Sequence, residues 1–242
     1  MGEVAEYDLV VRNGRVATAG DEFSADIGII DGRVAALRGG LGPGAREIDA
    51  SGLYVTPGFI DIHSHSDFTL LVDPRAASAV HQGVTLEVIG NCGHGCFPLI
   101  DKQLARNTIY GITDHIELDW STPAAYLERL EAARPAINVL TLVPNGQLRQ
   151  ATVGLAARPA DAEERRAMIK YLEEALEAGA FGLSTGLEYA IAAVGEALDP
   201  ARTAGVRVQI SHLPPRGGRA AFQACWPRGA AARAARRVVR FE

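Results

Sequence analysis

The sequence is short of cysteine, of long apolar runs and of positive charge, and each shortage excludes something. Three cysteines in 242 residues, unevenly spread, are too few for a disulfide framework. No apolar run approaches the roughly 20 residues that a membrane-spanning helix needs. A formal net charge of −5 offers no electrostatic case for nucleic acid or for an anionic membrane surface. The opening Met1-Gly2-Glu3-Val4-Ala5-Glu6 is acidic and lacks the basic and apolar regions of a signal peptide. A cytoplasmic protein is expected, with no membrane and no nucleic-acid partner. Apolar residues, by contrast, make up 48% of the chain, enough for a sizeable core, which excludes a disordered protein.

The first 56 residues read as a small β-module. Short alternating runs flank Asn13-Gly14 and Asp31-Gly32, dipeptides that accept the positive φ angles of type I′ turns, so two successive hairpins are expected. After Pro57-Gly58 the texture changes. Continuous apolar runs at 59–62, 84–89, 137–143, 181–183 and 206–210 resemble strands buried on both faces of a parallel sheet. Helical patterns lie between them. Asp73-Pro74 and Thr122-Pro123 each pair a cap with an N1 proline. Asp161 followed by Glu164 forms a capping box, with Met168, Tyr171, Leu172, Ala175 and Leu176 on one face and Gly179 at the end. Alternating strands and helices predict a βα barrel or an open α/β sheet. The last stretch, 213–242, is rich in arginine and alanine with little periodicity. It reads as a solvated, disordered tail; a basic nucleic-acid arm is the weaker reading for want of interleaved aromatics, and text translated out of its ancestral frame is a third.

Three segments carry chemistry. In Phe59-Ile60-Asp61-Ile62-His63-Ser64-His65 an apolar strand ends in His-x-His. Residues i and i+2 of a strand project to one side, so the two imidazoles converge as half a metal site. Histidines that merely cap the strand are the bland alternative. Asp61 is either an orienting carboxylate or a strand-end group bonded to backbone. Gly90-Asn91-Cys92-Gly93-His94-Gly95-Cys96 follows another apolar strand, and thiolate with imidazole suits zinc. Cys92 is the first candidate there, Cys96 and His94 are others, and an inert buried thiol is the alternative. Val208-Gln209-Ile210-Ser211-His212 is a strand ending in histidine, a weaker signal alone. His81 and His115 have no partner at ligand spacing and read as ordinary residues.

The order of these fragments, with Gly83-Val84-Thr85 leading into Gly-Asn-Cys-Gly and with Phe181-Gly182-Leu183-Ser184-Thr185-Gly186-Leu187-Glu188-Tyr189 between the second and third, resembles the N-acyl-D-amino-acid deacylases. These D-aminoacylases are a branch of the amidohydrolase superfamily. Tyr7 to Gly14 and Tyr54 to Gly58 match that superfamily's N-terminal β-module. The resemblance covers roughly residues 5–212. It implies an α/β fold, a (β/α)8 TIM-type barrel joined to a small β-sandwich, with residues 57–212 as the barrel portion. It implies Zn2+ as cofactor, held tightly by Cys92 and His212 and more weakly by His63 and His65. It implies hydrolysis of N-acyl-D-amino acids as small-molecule substrates, in a pocket shaped by Ser184 and Tyr189.

The chain also departs from that pattern. Between Tyr189 and Val206 the family has a further helix and a strand bearing a histidine ligand; about one βα unit, roughly 30 residues, is gone. The family's catalytic aspartate comes from the last barrel strand, and no residue here takes its role. Asn145 stands where the family has histidine, and Leu213-Pro214-Pro215 stands where it has a basic residue. An incomplete barrel with a partial β-sandwich is therefore expected, with exposed strand edges that favour self-association. Two other functions stay open: a catalytically inactive relative, and a closed structural zinc site made by His63, His65, Cys92 and Cys96.

Overall fold

The computed structural model of the chain describes residues 4–108, 116–186, 193–211 and 239–241. The chain divides into two compact units, 1–58 and 59–242.

The first unit is a five-stranded sheet. Its strands are β1 (Tyr7–Ala17), β2 (Glu22–Ile30), β3 (Arg33–Arg38), β4 (Gly44–Asp49) and β5 (Tyr54–Val55). The order is β3-β2-β1-β4, with β5 also pairing β1. Strand β1 is antiparallel to β2 and parallel to β4 and β5. The second expected hairpin is present: Asp31 and Gly32 take φ of 50° and 70° between β2 and β3, as a type I′ turn requires. The first is not. β1 runs through Asn13-Gly14 as one strand, and its register against β2 shifts between Val11 and Gly14. Asn13, at φ 58°, forms a bulge instead. Its N–H donates to Asp26 Oδ1 at 2.9 Å and its amide to Asp49 Oδ1 at 3.1 Å. The same tolerance of positive φ that favours a turn serves a bulge where flanking strands hold the chain extended.

The second unit mixes parallel strands with helices. Its strands are β6 (Phe59–Asp61), β7 (Val84–Ile89), β8 (Asn138–Thr141), β9 (Val143–Pro144), β10 (Leu183–Gly186), β11 (Val208–Ser211) and β12 (Val239–Phe241). Two sheets, β6-β7-β8 and β9-β10-β11-β12, are parallel throughout. They meet at Leu142, where β8 passes into β9. The Leu142 N–H donates to Ile89 O at 2.9 Å, and the Val143 N–H donates to Gly182 O at 2.7 Å. β6 ends this order, and Phe59, Ile60 and Ile62 are exposed there. Of the residues beyond His212, Val239–Phe241 are described and pair with β11.

The helices are α1 (Thr69–Val72), α2 (Ala77–Val80), α3 (Lys102–Thr108), α4 (Pro123–Ala133), α5 (Asn145–Thr152), α6 (Ala162–Glu177) and α7 (Ala193–Ala204). Two start as their sequence signals predict. Thr122 Oγ1 accepts from the Ala125 N–H at the head of α4, with Pro123 at the first position. At α6 both halves of the Asp161–Glu164 capping box are made. Asp73-Pro74 does not open a helix; it separates α1 from α2, and Asp73 binds Arg75 instead. The core packs Val143, Leu183, Val208 and Ile210 of the sheets with Tyr126, Leu148, Met168 and Leu172 of the helices. Apolar strands feeding one such layer leave their polar ends at the carboxyl edge, where the conspicuous residues lie.

Candidate metal centre

β6 and β7 are neighbours, aligned Asp61 to Glu87, so the turns that leave them start side by side. Asp61 Oδ1 accepts from the His63 N–H at 3.0 Å, an Asx-type turn that bends the chain out of the strand. Of the two roles open to Asp61, it takes the backbone-bonded one. The Ser64 N–H then donates to Val88 O at 3.0 Å, which ties the His63–His65 segment to β7.

The turn after β7 is built against its neighbours' backbones. Cys92 sits at φ 56°, ψ 15°, a left-handed conformation that costs an L residue about 1–2 kcal/mol. Several contacts hold it there. Asn91, fully buried, donates its amide to Val88 O at 2.8 Å. Ser184, also fully buried, donates to Gly90 O and accepts from the Gly93 N–H at 3.1 Å. Gly186 lies so close that a Cβ on it would stand 2.5 Å from the Cys92 carbonyl oxygen; only glycine fits.

These supports bring three donors together. His63 Nε2 lies 3.2 Å from Cys92 Sγ, and His65 Nε2 lies 3.4 Å from the same sulfur. The imidazole centroids are 5.3 Å apart and steeply inclined at 68°. One ligand atom from each residue falls within 4.8 Å of the others, the one such group among the described residues. Bonds of about 2.3 Å to sulfur and 2.0 Å to nitrogen at tetrahedral angles, as zinc makes, separate the two donors by about 3.5 Å. The set fits one small tetrahedral cation with a position left open.

The neighbours divide by their protonation. Burial, then the nearby His65, holds the His94 imidazole below its ordinary value. Burial, then Asp67, pushes the Cys96 thiol well up. Cys96 is fully buried, stands outside the ligand cluster and lies beside Tyr126 and Asp67. Among the described residues the donors that come together are His63, His65 and Cys92, without the Cys96 of a closed four-ligand site. Asp67 is buried, and burial raises its carboxyl to about 7. Tyr126 donates to Asp67 O at 2.9 Å and Trp120 to Cys96 O at 2.7 Å, so α4 and the segment before it brace both turns from below.

Of the residues expected at the site, His63, His65 and Cys92 meet. Ser184 is committed to the Cys92 turn rather than left open to a pocket. His212 and Tyr189 lie outside the described residues. The ladder sets Ser211, buried at the end of β11, opposite Gly186. Asn145 is buried at the start of α5. Glu87 carried no signal in the sequence, yet it is buried and accepts from both Ser64 and Ser66; an acid inside an apolar strand run was the one trace.

Residues 46–239 match the model of the amidohydrolase family. An N-acyl-D-glutamate deacylase of Alcaligenes xylosoxydans xylosoxydans is 38% identical over 219 residues, 86% of this chain and 44% of the relative. The solved N-acyl-D-glutamate deacylase of Bordetella bronchiseptica, complexed with zinc and a phosphonate mimic of the tetrahedral intermediate, superposes with a TM-score of 0.74 at 30% identity. It is covered over 58% of its length by 97% of this chain. A solved D-aminoacylase gives 0.74 at 27% identity, with 98% and 58% covered. The chain spans about half the length of these relatives. No helix among the described residues is long and apolar enough to cross a membrane. By sequence and by fold, the chain belongs to the amidohydrolase family, on its D-aminoacylase branch.

Proposed function

We propose that the chain carries the metal site of a zinc-dependent N-acyl-D-amino-acid deacylase acting in the cytoplasm. The observation that carries this reading is the approach of His63 Nε2 and His65 Nε2 to 3.2 and 3.4 Å from Cys92 Sγ. His63 and His65 as neutral imidazoles and Cys92 as thiolate would hold one Zn2+, and His212, next after Ser211 in the sequence, is the further ligand of this reading. Bound zinc supplies a Lewis acid that polarises an amide carbonyl. The protein's own part is to hold the donors. Asp61 fixes the exit from β6, while Ser184 and Asn91 fix the Cys92 turn. Gly186 lets the turn approach β10. Ser184 therefore acts on the site through Cys92, and Tyr189 is the residue that would shape the substrate pocket. Ligand deprotonation makes ion affinity fall as pH drops.

A second reading, a non-catalytic relative, is favoured by the order of strands. β10 pairs directly with β11, and α7 is the one element described between them. Among the described residues, no strand there offers the further histidine ligand. The exposed Phe59, Ile60 and Ile62 beside the end strand β6 favour self-association, which sedimentation analysis reads directly. The two functions separate in one assay of the zinc-supplemented chain on N-acetyl-D- and N-acetyl-L-amino acids, with Cys92→Ala as control. D-selective hydrolysis that the control abolishes supports the deacylase. A folded, zinc-loaded chain no faster than the control supports the non-catalytic relative.

A further inference from the structure

Glu87 is a buried acid, 6% exposed, in the middle of an apolar strand. It makes no ion pair among the described residues. Its partners are two hydroxyls. Oε2 accepts from Ser66 Oγ, and Ser64 Oγ lies 3.2 Å from the same oxygen. The two hydroxyls are 2.8 Å apart, and the Ser66 N–H donates back to Ser64 Oγ at 3.2 Å. These serines bracket His65, so one carboxylate holds the segment on both sides of a metal-ligating imidazole. The buried Asp67 carboxyl, which Glu87 helps to push upward, offers it no counter-charge.

Hydroxyls satisfy a carboxylate's hydrogen bonds but leave its charge, and a buried charge without a counter-charge is costly. Cys92 stands in the turn that leaves the same strand, and as a ligating thiolate it would carry the same sign. A divalent ion beside both would neutralise the pair. We propose that Glu87 is a positioning residue of this metal site: through Ser64 and Ser66 it fixes the segment that bears His65, and its charge is the second, after the Cys92 thiolate, that the ion balances. This rests on the metal site proposed above. Carboxylates behind ligating groups typically set ion affinity by 10–100-fold, and Glu87 acts here through the hydroxyls that flank the ligand.

The test uses the full chain, stripped of metal and titrated with Co2+. The thiolate-to-cobalt charge-transfer band reports the affinity, and the thermal midpoint of the ion-free chain is read alongside. Glu87→Gln keeps the shape and the acceptor but removes the charge. It is expected to weaken Co2+ binding about tenfold or more while raising the ion-free midpoint by a few degrees, with the band in place because Cys92 still ligates. Replacing both serines by alanine is expected to weaken binding without raising the midpoint, since the charge remains and loses its donors. A merely structural glutamate would give the reverse pattern: a lower ion-free midpoint in Glu87→Gln with unchanged affinity of the folded chain, and that result overturns the proposal. A folded wild-type chain that shows no thiolate band overturns the metal reading itself, an outcome distinct from wild type and Glu87→Gln binding Co2+ equally well.

Discussion

Helix α6 and the Cys92 turn solve the same problem, satisfying backbone groups at the end of an element, by opposite means. At α6 the partners are two or three residues apart. Asp161 Oδ1 accepts from the Glu163 and Glu164 N–H groups, and Glu164 Oε2 accepts from the Asp161 N–H at 2.8 Å. All of it is solvent-facing and unstrained. At the turn, Cys92 occupies a left-handed conformation, and Ser184 reaches it from 91 and 94 positions away. The first arrangement stabilises a helix wherever it occurs. The second exists only when β7, β9 and β10 are already assembled, and its result is a thiol held against two imidazoles. A conformation that local sequence disfavours, maintained by distant partners, is what a site for a cation requires if its donors are not to relax away from one another.

If that contrast holds, the largest effect should come from adding atoms beside the turn. Gly186→Val places carbon against the Cys92 carbonyl, which is backbone and has nowhere to go. A loss of about 3 kcal/mol is expected, with zinc affinity falling alongside; urea denaturation and zinc titration measure the two. Ser184→Ala leaves the Gly90 carbonyl and the Gly93 N–H without their buried partner, for about 2 kcal/mol, again with weakened zinc binding. Asp161→Ala should cost about 1 kcal/mol and leave zinc affinity untouched. Equal zinc affinity across all three variants would erase the distinction between the two regions.

The pH dependence should carry opposite signs in the two places. Arg158, then the Asp161 N–H, holds Glu164 at about 2, below its ordinary 4.5. Its contribution is present above pH 4.5 and lost as pH falls through about 2. Burial raises Asp67 from 3.8 to about 7. Its contribution is full below pH 3.8 and lost as pH rises through about 7. Urea midpoints of the ion-free chain across this range should therefore flatten on the acid side in Glu164→Gln and on the neutral side in Asp67→Asn. The acid-side effect should be the smallest of all, since Glu164 pairs with a solvent-exposed Arg158 at the surface, where water screens the pair.

The same contrast decides how much could be read in advance. The α6 capping box and the Thr122 cap were legible because their signals lie within one helical turn. His63 and His65 were legible as a His-x-His pair closing an apolar run, although they stand in the turn beyond β6 and not in the strand, and Cys92 because it follows another apolar run. Asn13-Gly14 was misread because one conformational tolerance serves both a turn and a bulge, and pairing with β2 and β4, not the dipeptide, decides which. Asp73-Pro74 was misread for a similar reason: Arg75 takes the Asp73 carboxylate that would have capped a helix. Glu87, Ser184 and Tyr126 were out of reach as supports of the site. Their partners stand 23, 94 and 59 positions away, and only Glu87, an acid within an apolar run, left a local trace.

The central claim is that His63, His65 and Cys92 together hold a metal ion. Equilibrium dialysis of the metal-free chain against zinc, followed by elemental analysis, tests it most directly, with Cys92→Ala and His65→Ala run in parallel. Zinc is expected to be retained by the wild-type chain and lost, or weakened by orders of magnitude, in both variants while each remains folded. Zinc bound equally by wild type and Cys92→Ala, or not bound by a folded wild-type chain, would contradict it.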